Sequence, residues 1–120
     1  MGKKKILVTG GTGFIGSHTV VELQQSGFDV LIVDNLSNSS IDVLENIASI
    51  TGILPGFEQF DLADASLTAD FFNRTPEIDG IIHFAALKAV GESMEKPLDY
   101  YRNNLQSLIN LLEGMKTHGI

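Results

Sequence analysis

An α/β fold, doubly wound on a parallel sheet, is predicted by three features of the sequence. Short β-rich apolar runs alternate with helical stretches four times along the chain. The second run, Asp29-Val30-Leu31-Ile32-Val33-Asp34, is almost continuously apolar, as strands buried on both faces are. The turn after the first run is glycine-rich and opens directly into a helix. Repeated strand–helix alternation implies right-handed βαβ units.

Each element has a local cause. Lys5-Ile6-Leu7-Val8-Thr9 reads as the first strand. Residues 12–26 read as a helix, with Gly27 at the C′ position, where a left-handed backbone is wanted. The second strand is 29–34, followed by a polar loop over 35–40 and a helix over 41–50 that stops at Thr51-Gly52. Pro55-Gly56 breaks the chain before a short third strand, 57–61. Residues 64–74 form a helix with Asp64 or Ser66 as N-cap. Gly80-Ile81-Ile82-His83-Phe84-Ala85 is the fourth strand, and His83 within it reads as a core histidine. The longest helix runs over 97–118, with Pro97 in its first turn and Gly119 at its end. Its apolar residues at 98, 101, 105, 108, 112 and 115 make one stripe, broadened by Ile109 and Leu111. That stripe either faces the core or packs in part on another subunit. In the usual doubly wound order the strands should run 3-2-1-4, and the fourth is bared because the chain stops where a fifth strand is expected.

Composition narrows the function. A chain of 120 residues has room for one domain. With 43% hydrophobic and 19% charged residues it builds a core and is not disordered. A formal net charge of −7 gives no general attraction for nucleic acid. The lack of cysteine excludes disulfides, thiolate zinc sites and cysteine nucleophiles. No apolar run approaches the roughly 18 residues of a membrane span. Lys3, Lys4 and Lys5 precede only Ile6-Leu7-Val8, too short for a signal-peptide core. Met1-Gly2 lacks the Ser or Thr at position 6 that myristoylation requires. The expectation is a cytoplasmic protein without membrane or nucleic-acid partners. His18, His83 and His118 share no metal-ligand spacing, so no metal site is expected.

The chemistry lies in Thr9-Gly10-Gly11-Thr12-Gly13-Phe14-Ile15-Gly16. The segment satisfies both Gly11-x-Gly13-x-x-Gly16 and Gly10-x-x-Gly13-x-x-Gly16. In such loops one glycine permits a tight turn, one lets backbone approach a pyrophosphate, and one lets the helix pack closely. Backbone amides at the helix start, aided by the helix dipole, hold the phosphates. Asp34, at the end of the second strand, stands where a ribose-binding carboxylate is expected. It would repel a 2′-phosphate, and no Arg or Lys stands in the glycine loop or within 35–40, which favours NAD over NADP. Ser17-His18, not a lysine, follows Gly16, so the loop is not a P-loop.

The Thr-Gly-x-x-Gly-x-x-Gly pattern resembles the fingerprint of extended short-chain dehydrogenase/reductases. Three further segments resemble the UDP-sugar 4-epimerases among them: Val33-Asp34-Asn35-Leu36-Ser37-Asn38-Ser39, His83 through Ser93 with its Lys88-Ala89-Val90-Gly91-Glu92-Ser93 run, and Lys96-Pro97-Leu98-x-Tyr100-Tyr101-x-Asn103-Asn104. The resemblance runs the length of the chain but covers only the N-terminal part of the family's domain. It implies a Rossmann-type sheet truncated after the fourth strand and its helix, NAD as cofactor, and a UDP-sugar as substrate. The implied reaction is interconversion of UDP-glucose and UDP-galactose at C4 through a keto-sugar, within galactose metabolism. A cytoplasmic homodimer is implied as well, with the long helix in its interface, and self-association of the isolated chain.

The family's cofactor contacts fall, by resemblance, on Gly10, Gly13 and Gly16 of the loop, and on Phe14 and Ile15, whose backbone lies over the pyrophosphate. Asp34, Asn35, Leu36, Ser37, Asn38 and Ser39 surround the adenosine ribose, and Asp61 and Leu62 bracket the adenine edge. Phe84, Ala85, Ala86 and Lys88 line the cofactor, with Lys88 also approaching the sugar; Asn103 reaches it from the long helix. The family often has glycine at the position of Ala86. On the residues alone, the lesser alternatives are Asp61 as a helix cap, Lys88 as a solvated lysine and Asn103 as a helix-surface residue. The family's base is the tyrosine of a Tyr-x-x-x-Lys motif. Tyr100 and Tyr101 are followed four residues on by Asn104 and Leu105, so no catalytic residue is assigned in this chain. A different nucleotide-sugar dehydratase or epimerase, or a non-catalytic NAD-binding module, is the alternative.

Overall fold

The computed structural model describes residues 3–36, 41–84 and 97–120. Its elements in chain order are β1 (Lys5–Thr9), α1 (Phe14–Gln25), β2 (Asp29–Asp34), α2 (Asp42–Thr51), β3 (Gly56–Gln59), α3 (Ala65–Arg74), β4 (Gly80–His83) and α4 (Pro97–His118). The four strands form one sheet in the order β3-β2-β1-β4, every pair parallel, as the alternation predicts. Leu7 of β1 stands between Leu31 of β2 and Ile81 of β4.

The contacts divide the chain into two units: Met1–Phe60 with Glu77–Ala85, and Asp61–Pro76 with Ala86–Ile120. The first unit holds the sheet, α1 and α2. Val8, Val30 and Ile32 of the strands pack with Val20, Leu44 and Ile47 of the helices, and Ile6, Val43 and Phe57 close the edges. Leu7 and Val33 are also fully buried. Residues of alternate parity, Val8 with Ile32 and Leu7 with Val33, are all buried, which explains why the sequence shows runs of apolar residues rather than alternation. α1 ends as predicted at Gly27. Its amide donates to the Gln24 carbonyl (3.1 Å) and the Phe28 amide to the Leu23 carbonyl (3.0 Å), a Schellman closure.

Several boundaries differ from the sequence reading. α1 begins at Phe14 rather than at 12, because Thr12 belongs to the glycine turn and directs its side chain to Asp34. β3 ends at Gln59 rather than 61. Asp61 instead forms a turn of its own: its Oδ1 accepts from the Ala63 amide (2.9 Å) and its carbonyl from the Asp64 amide (3.0 Å). β4 ends at His83, with residue 85 outside the described residues. Of the two N-cap candidates for α3, Asp64 takes the role, accepting from the Leu67 amide at 3.0 Å.

The second unit rests on α3 against α4. Phe71, Phe72, Thr68, Leu62 and Leu111 are buried in it. The Phe72 ring lies so close to α4 that a Cβ on Gly114 would come within 2.4 Å of it. The polar members of the joint are bonded internally. Asn110 Nδ2 donates to the Leu62 carbonyl (2.7 Å), Thr68 Oγ1 donates to the same oxygen (3.0 Å), and Gln106 Nε2 donates to Asn110 Oδ1 (2.7 Å).

Of the two readings of the α4 stripe, the core-facing one fails for its outward residues: Leu98 is 67% exposed, Leu105, Leu108 and Leu112 are exposed with it, and Ile109 beside them, whereas Leu111 is buried. The buried face carries Ser107, Asn110, Leu111 and Gly114. Small and amide-bearing residues permit the close approach of α3, and the Phe71 and Phe72 rings supply the apolar volume from the other helix.

Candidate functional site

The site is built at the carboxyl end of β1 and β2, where open parallel sheets place their ligands. The chain leaves β1 at Thr9 and must turn at once into α1. Gly10 makes the turn with φ +71°, a left-handed backbone that a side chain would strain. The Gly10 amide donates to the Val33 carbonyl (2.9 Å), and the Gly13 amide to the Gly10 carbonyl (3.1 Å). Gly16 lies in the first helical turn directly over this loop. A Cβ there would stand 2.1 Å from the Gly10 carbonyl oxygen. Gly13 is different: it is extended, with φ −73° and ψ 173°, and a Cβ would meet only the Gly10 oxygen, at 3.3 Å. What a side chain on Gly13 would fill is mainly the space in front of the loop. The glycine roles therefore separate into turn (Gly10), approach (Gly13) and helix packing (Gly16).

The N-cap of α1 is Gly13, which has no side chain to accept from the first-turn amides. The first turn also carries no acidic residue. Amides and dipole ends of this kind are suited to anions. Phe14 and Ile15 are exposed on that turn, and the Phe14 ring meets the His18 ring edge-on at 4.7 Å.

Asp34, the last residue of β2, is only 9% exposed. Its Oδ2 accepts from the Thr12 hydroxyl and, at 3.4 Å, from the Thr12 amide; its Oδ1 accepts from the Leu36 amide at 2.8 Å. The carboxylate is thus fastened across the crevice to the glycine loop. Leu36 has φ +61°, the one non-glycine residue with a left-handed backbone among those described. That conformation costs roughly 1–2 kcal/mol. The hydrogen bond to a carboxylate offsets it, being worth about 1.5–3 kcal/mol.

On the other side of β1, Thr9 Oγ1 and His83 Nδ1 share a hydrogen bond of 2.6 Å, so His83 is a satisfied structural residue as expected. The Phe84 amide donates to the Thr9 carbonyl (2.9 Å) and Oγ1 (3.0 Å), and the Phe84 ring packs against the core of this unit. The structure thus brings Gly10, Gly13, Phe14, Ile15, Gly16, Asp34, Asn35 and Leu36 into one region, with Phe84 bonded to β1. Asp61, Leu62 and Asn103 belong to the second unit. Asp61 is exposed; Leu62 is buried and accepts through its carbonyl. Asn103 lines a depression of about 590 Å³ with Ala63, Arg102, Leu105, Gln106 and Ile109. Ser37, Asn38, Ser39, Ala85, Ala86 and Lys88 lie outside the described residues.

Sequence reasoning missed Thr12, which it placed inside the helix. The available signal was a hydroxyl residue between two glycines, opposite the strand-end acid. Among the described residues, no group of His, Asp or Glu is arranged to hold a metal ion, and no helix is long and apolar enough to cross a membrane.

A parallel sheet in the order 3-2-1-4, with a glycine turn into α1 and a buried acid ending β2, defines a Rossmann-type nucleotide-binding fold. Residues 6–120 match the NAD dependent epimerase/dehydratase family, and the chain belongs to that family. It is 52% identical over 117 residues to the UDP-glucose 4-epimerase of Neisseria meningitidis serogroup B, a match covering 98% of this chain and 34% of that protein. The UDP-glucose 4-epimerase of Bacillus subtilis is 50% identical over 115 residues, covering 96% and 34%. The chain thus spans about a third of the length of these curated relatives. Among solved structures, the UDP-glucose 4-epimerase of Bifidobacterium longum in complex with NAD+ and UDP matches with a TM-score of 0.91 and 48% identity, over 98% of this chain and 35% of that one. The enzyme from Stenotrophomonas maltophila, with bound NAD and formylated UDP-arabinopyranose, gives 0.89 and 48%, over 98% and 34%.

Proposed function

We propose that this chain is the NAD-binding part of an enzyme that interconverts UDP-glucose and UDP-galactose by epimerisation at C4 through a keto-sugar, and that residues 1–120 act as one NAD-binding domain. The observation that carries this is the buried Asp34 carboxylate facing a glycine loop whose helix start bears uncapped amides. These groups fit a dinucleotide: the open space at Gly13 admits a pyrophosphate, and the acid suits a ribose diol. Bound NAD would supply hydride acceptance and return at the sugar C4.

The chain's own residues bind and orient. The amides of Phe14, Ile15 and Gly16 hold the pyrophosphate. Asp34 accepts from the adenosine ribose and repels a 2′-phosphate, so NAD is preferred to NADP. Asn35 to Ser39 surround that ribose, Asp61 and Leu62 meet the adenine edge, and Phe84, Ala85, Ala86, Lys88 and Asn103 line the remainder, Lys88 next to the sugar. No residue here is proposed as the catalytic base, since the 120 residues contain no Tyr-x-x-x-Lys. Binding without turnover of UDP-galactose is therefore expected of the chain alone.

Calorimetry tests the reading. NAD should bind, and Asp34→Ala should weaken it by about 1.5–3 kcal/mol, the worth of hydrogen bonds to a charged group. Unchanged affinity removes Asp34 from the site. Turnover of UDP-galactose by the chain alone would overturn the assignment of the base elsewhere.

The exposed ridge of Leu98, Leu105, Leu108, Ile109 and Leu112 supports a homodimer formed through α4. Sedimentation should show association that Leu105→Lys with Leu112→Lys abolishes; a concentrated wild-type monomer would count against it. By resemblance, the reading extends to a cytoplasmic location and to a role in galactose metabolism.

A further inference from the structure

We infer that Thr12 is a positioning residue, whose hydroxyl sets the Asp34 carboxylate for the adenosine ribose before the dinucleotide arrives. The inference rests on the proposed role of Asp34 and concerns a residue that the glycine pattern leaves free to vary. Thr12 is 2% exposed and sits in the turn, not in α1. An ionised carboxylate only accepts, so the Thr12 hydroxyl proton is directed to Oδ2. The Thr12 amide approaches the same oxygen at 3.4 Å, while Leu36 N–H holds Oδ1 at 2.8 Å.

The two anchors have different consequences. Leu36 ties one oxygen to the strand's own continuation. Thr12 ties the other to the opposite wall, the loop that carries the phosphate-holding amides. With both in place, the carboxylate plane is fixed relative to that loop. With Leu36 alone, the carboxylate can twist about its Cβ–Cγ bond, and rotation about Cα–Cβ can turn it from the crevice. Three of about four acceptor positions on the carboxylate are then engaged before any ligand binds, leaving Oδ1 to receive a hydroxyl. Fixing an acceptor beforehand removes the ordering cost from the binding step.

The experiment compares two probes on the full chain: NAD, and an NAD analogue whose adenosine ribose lacks both hydroxyls. Thr12→Val keeps the shape and removes the hydroxyl; Thr12→Ser keeps the hydroxyl. Thr12→Val should weaken NAD about fivefold to tenfold, the scale of a lost preorganising hydrogen bond. Thr12→Ser should restore binding to within about twofold of the wild type. For the dideoxy analogue, wild type and Thr12→Val should bind alike. Equal weakening of both probes by Thr12→Val would show a merely structural role and overturn the inference, as would unchanged NAD binding. Asp34→Ala separates the two levels. If it leaves NAD affinity intact, the ribose reading itself fails and takes the inference with it. If it weakens NAD while Thr12→Val does not, only the inference fails. Should Thr12→Val not fold, as judged by its thermal transition, Thr12→Ala gives the same comparison without the risk of overpacking.

Discussion

The two ends of the parallel sheet treat their carboxylates in opposite ways. At the carboxyl end, Asp34 is buried and held by neutral donors, the Thr12 hydroxyl and the Leu36 amide. At the amino end, Lys5 Nζ bonds Glu77 Oε1 at 2.9 Å and lies 3.9 Å from Asp29 Oδ2, and the Lys5 amide bonds Asp79 Oδ2 at 2.8 Å. Those acids are exposed, so water already satisfies them and the pairs add little. The contrast shows where the fold invests constraint. A carboxylate anchored inside the fold has one fixed orientation, whereas one exposed to solvent is held only loosely.

The largest effect that tests this contrast concerns the glycines. Gly16→Ala should cost about 3 kcal/mol of stability, the upper end of overpacking, because the added carbon meets backbone that cannot move aside. Gly13→Val should leave the unfolding transition within about 1 kcal/mol of the wild type yet abolish NAD binding. Denaturant unfolding alongside calorimetry checks both. Loss of the fold in Gly13→Val, or retained binding, would break the separation of approach from packing.

The smallest effect lies at the opposite end. The hydrogen bond from the Lys5 ammonium, foremost, holds the Glu77 carboxyl below its ordinary value. Glu77 thus contributes stability above the unfolded glutamate value of about 4.3, lost as pH falls through its lower folded value. Lys5→Met should flatten that slope in urea midpoints measured across acid pH, and salt should mimic the substitution. A steep slope surviving in Lys5→Met would assign the effect to another acid.

What the sequence made legible follows from physics that acts locally. The turn glycines, the strand-end position of Asp34 and the Schellman end at Gly27 have causes within a few residues, while the strand order follows from the crossover rule of repeated strand–helix units. Thr12 escaped because a threonine beside a helix start looks like a helix residue; its partner is 22 positions away. Asp61 looks like a strand end because Phe57-Glu58-Gln59-Phe60 continues in strand-like residues, but its own side-chain turn ends the strand sooner. The α4 stripe left two readings open for a plainer reason. Apolar periodicity marks a face that avoids water; it does not say that this chain supplies the cover. The face that is covered reads as small and polar, since its partner rings come from α3.

Because Phe72 seats against Gly114 on one side of α4 while the leucines stand on the other, the two sides answer to separate constraints. Bulk added at position 114 would unseat the helix. Exchanges among the outward leucines would leave the seat alone and change only how greasy the surface is. The outward surface can therefore drift over generations, or be altered at the bench, without redesigning the interior.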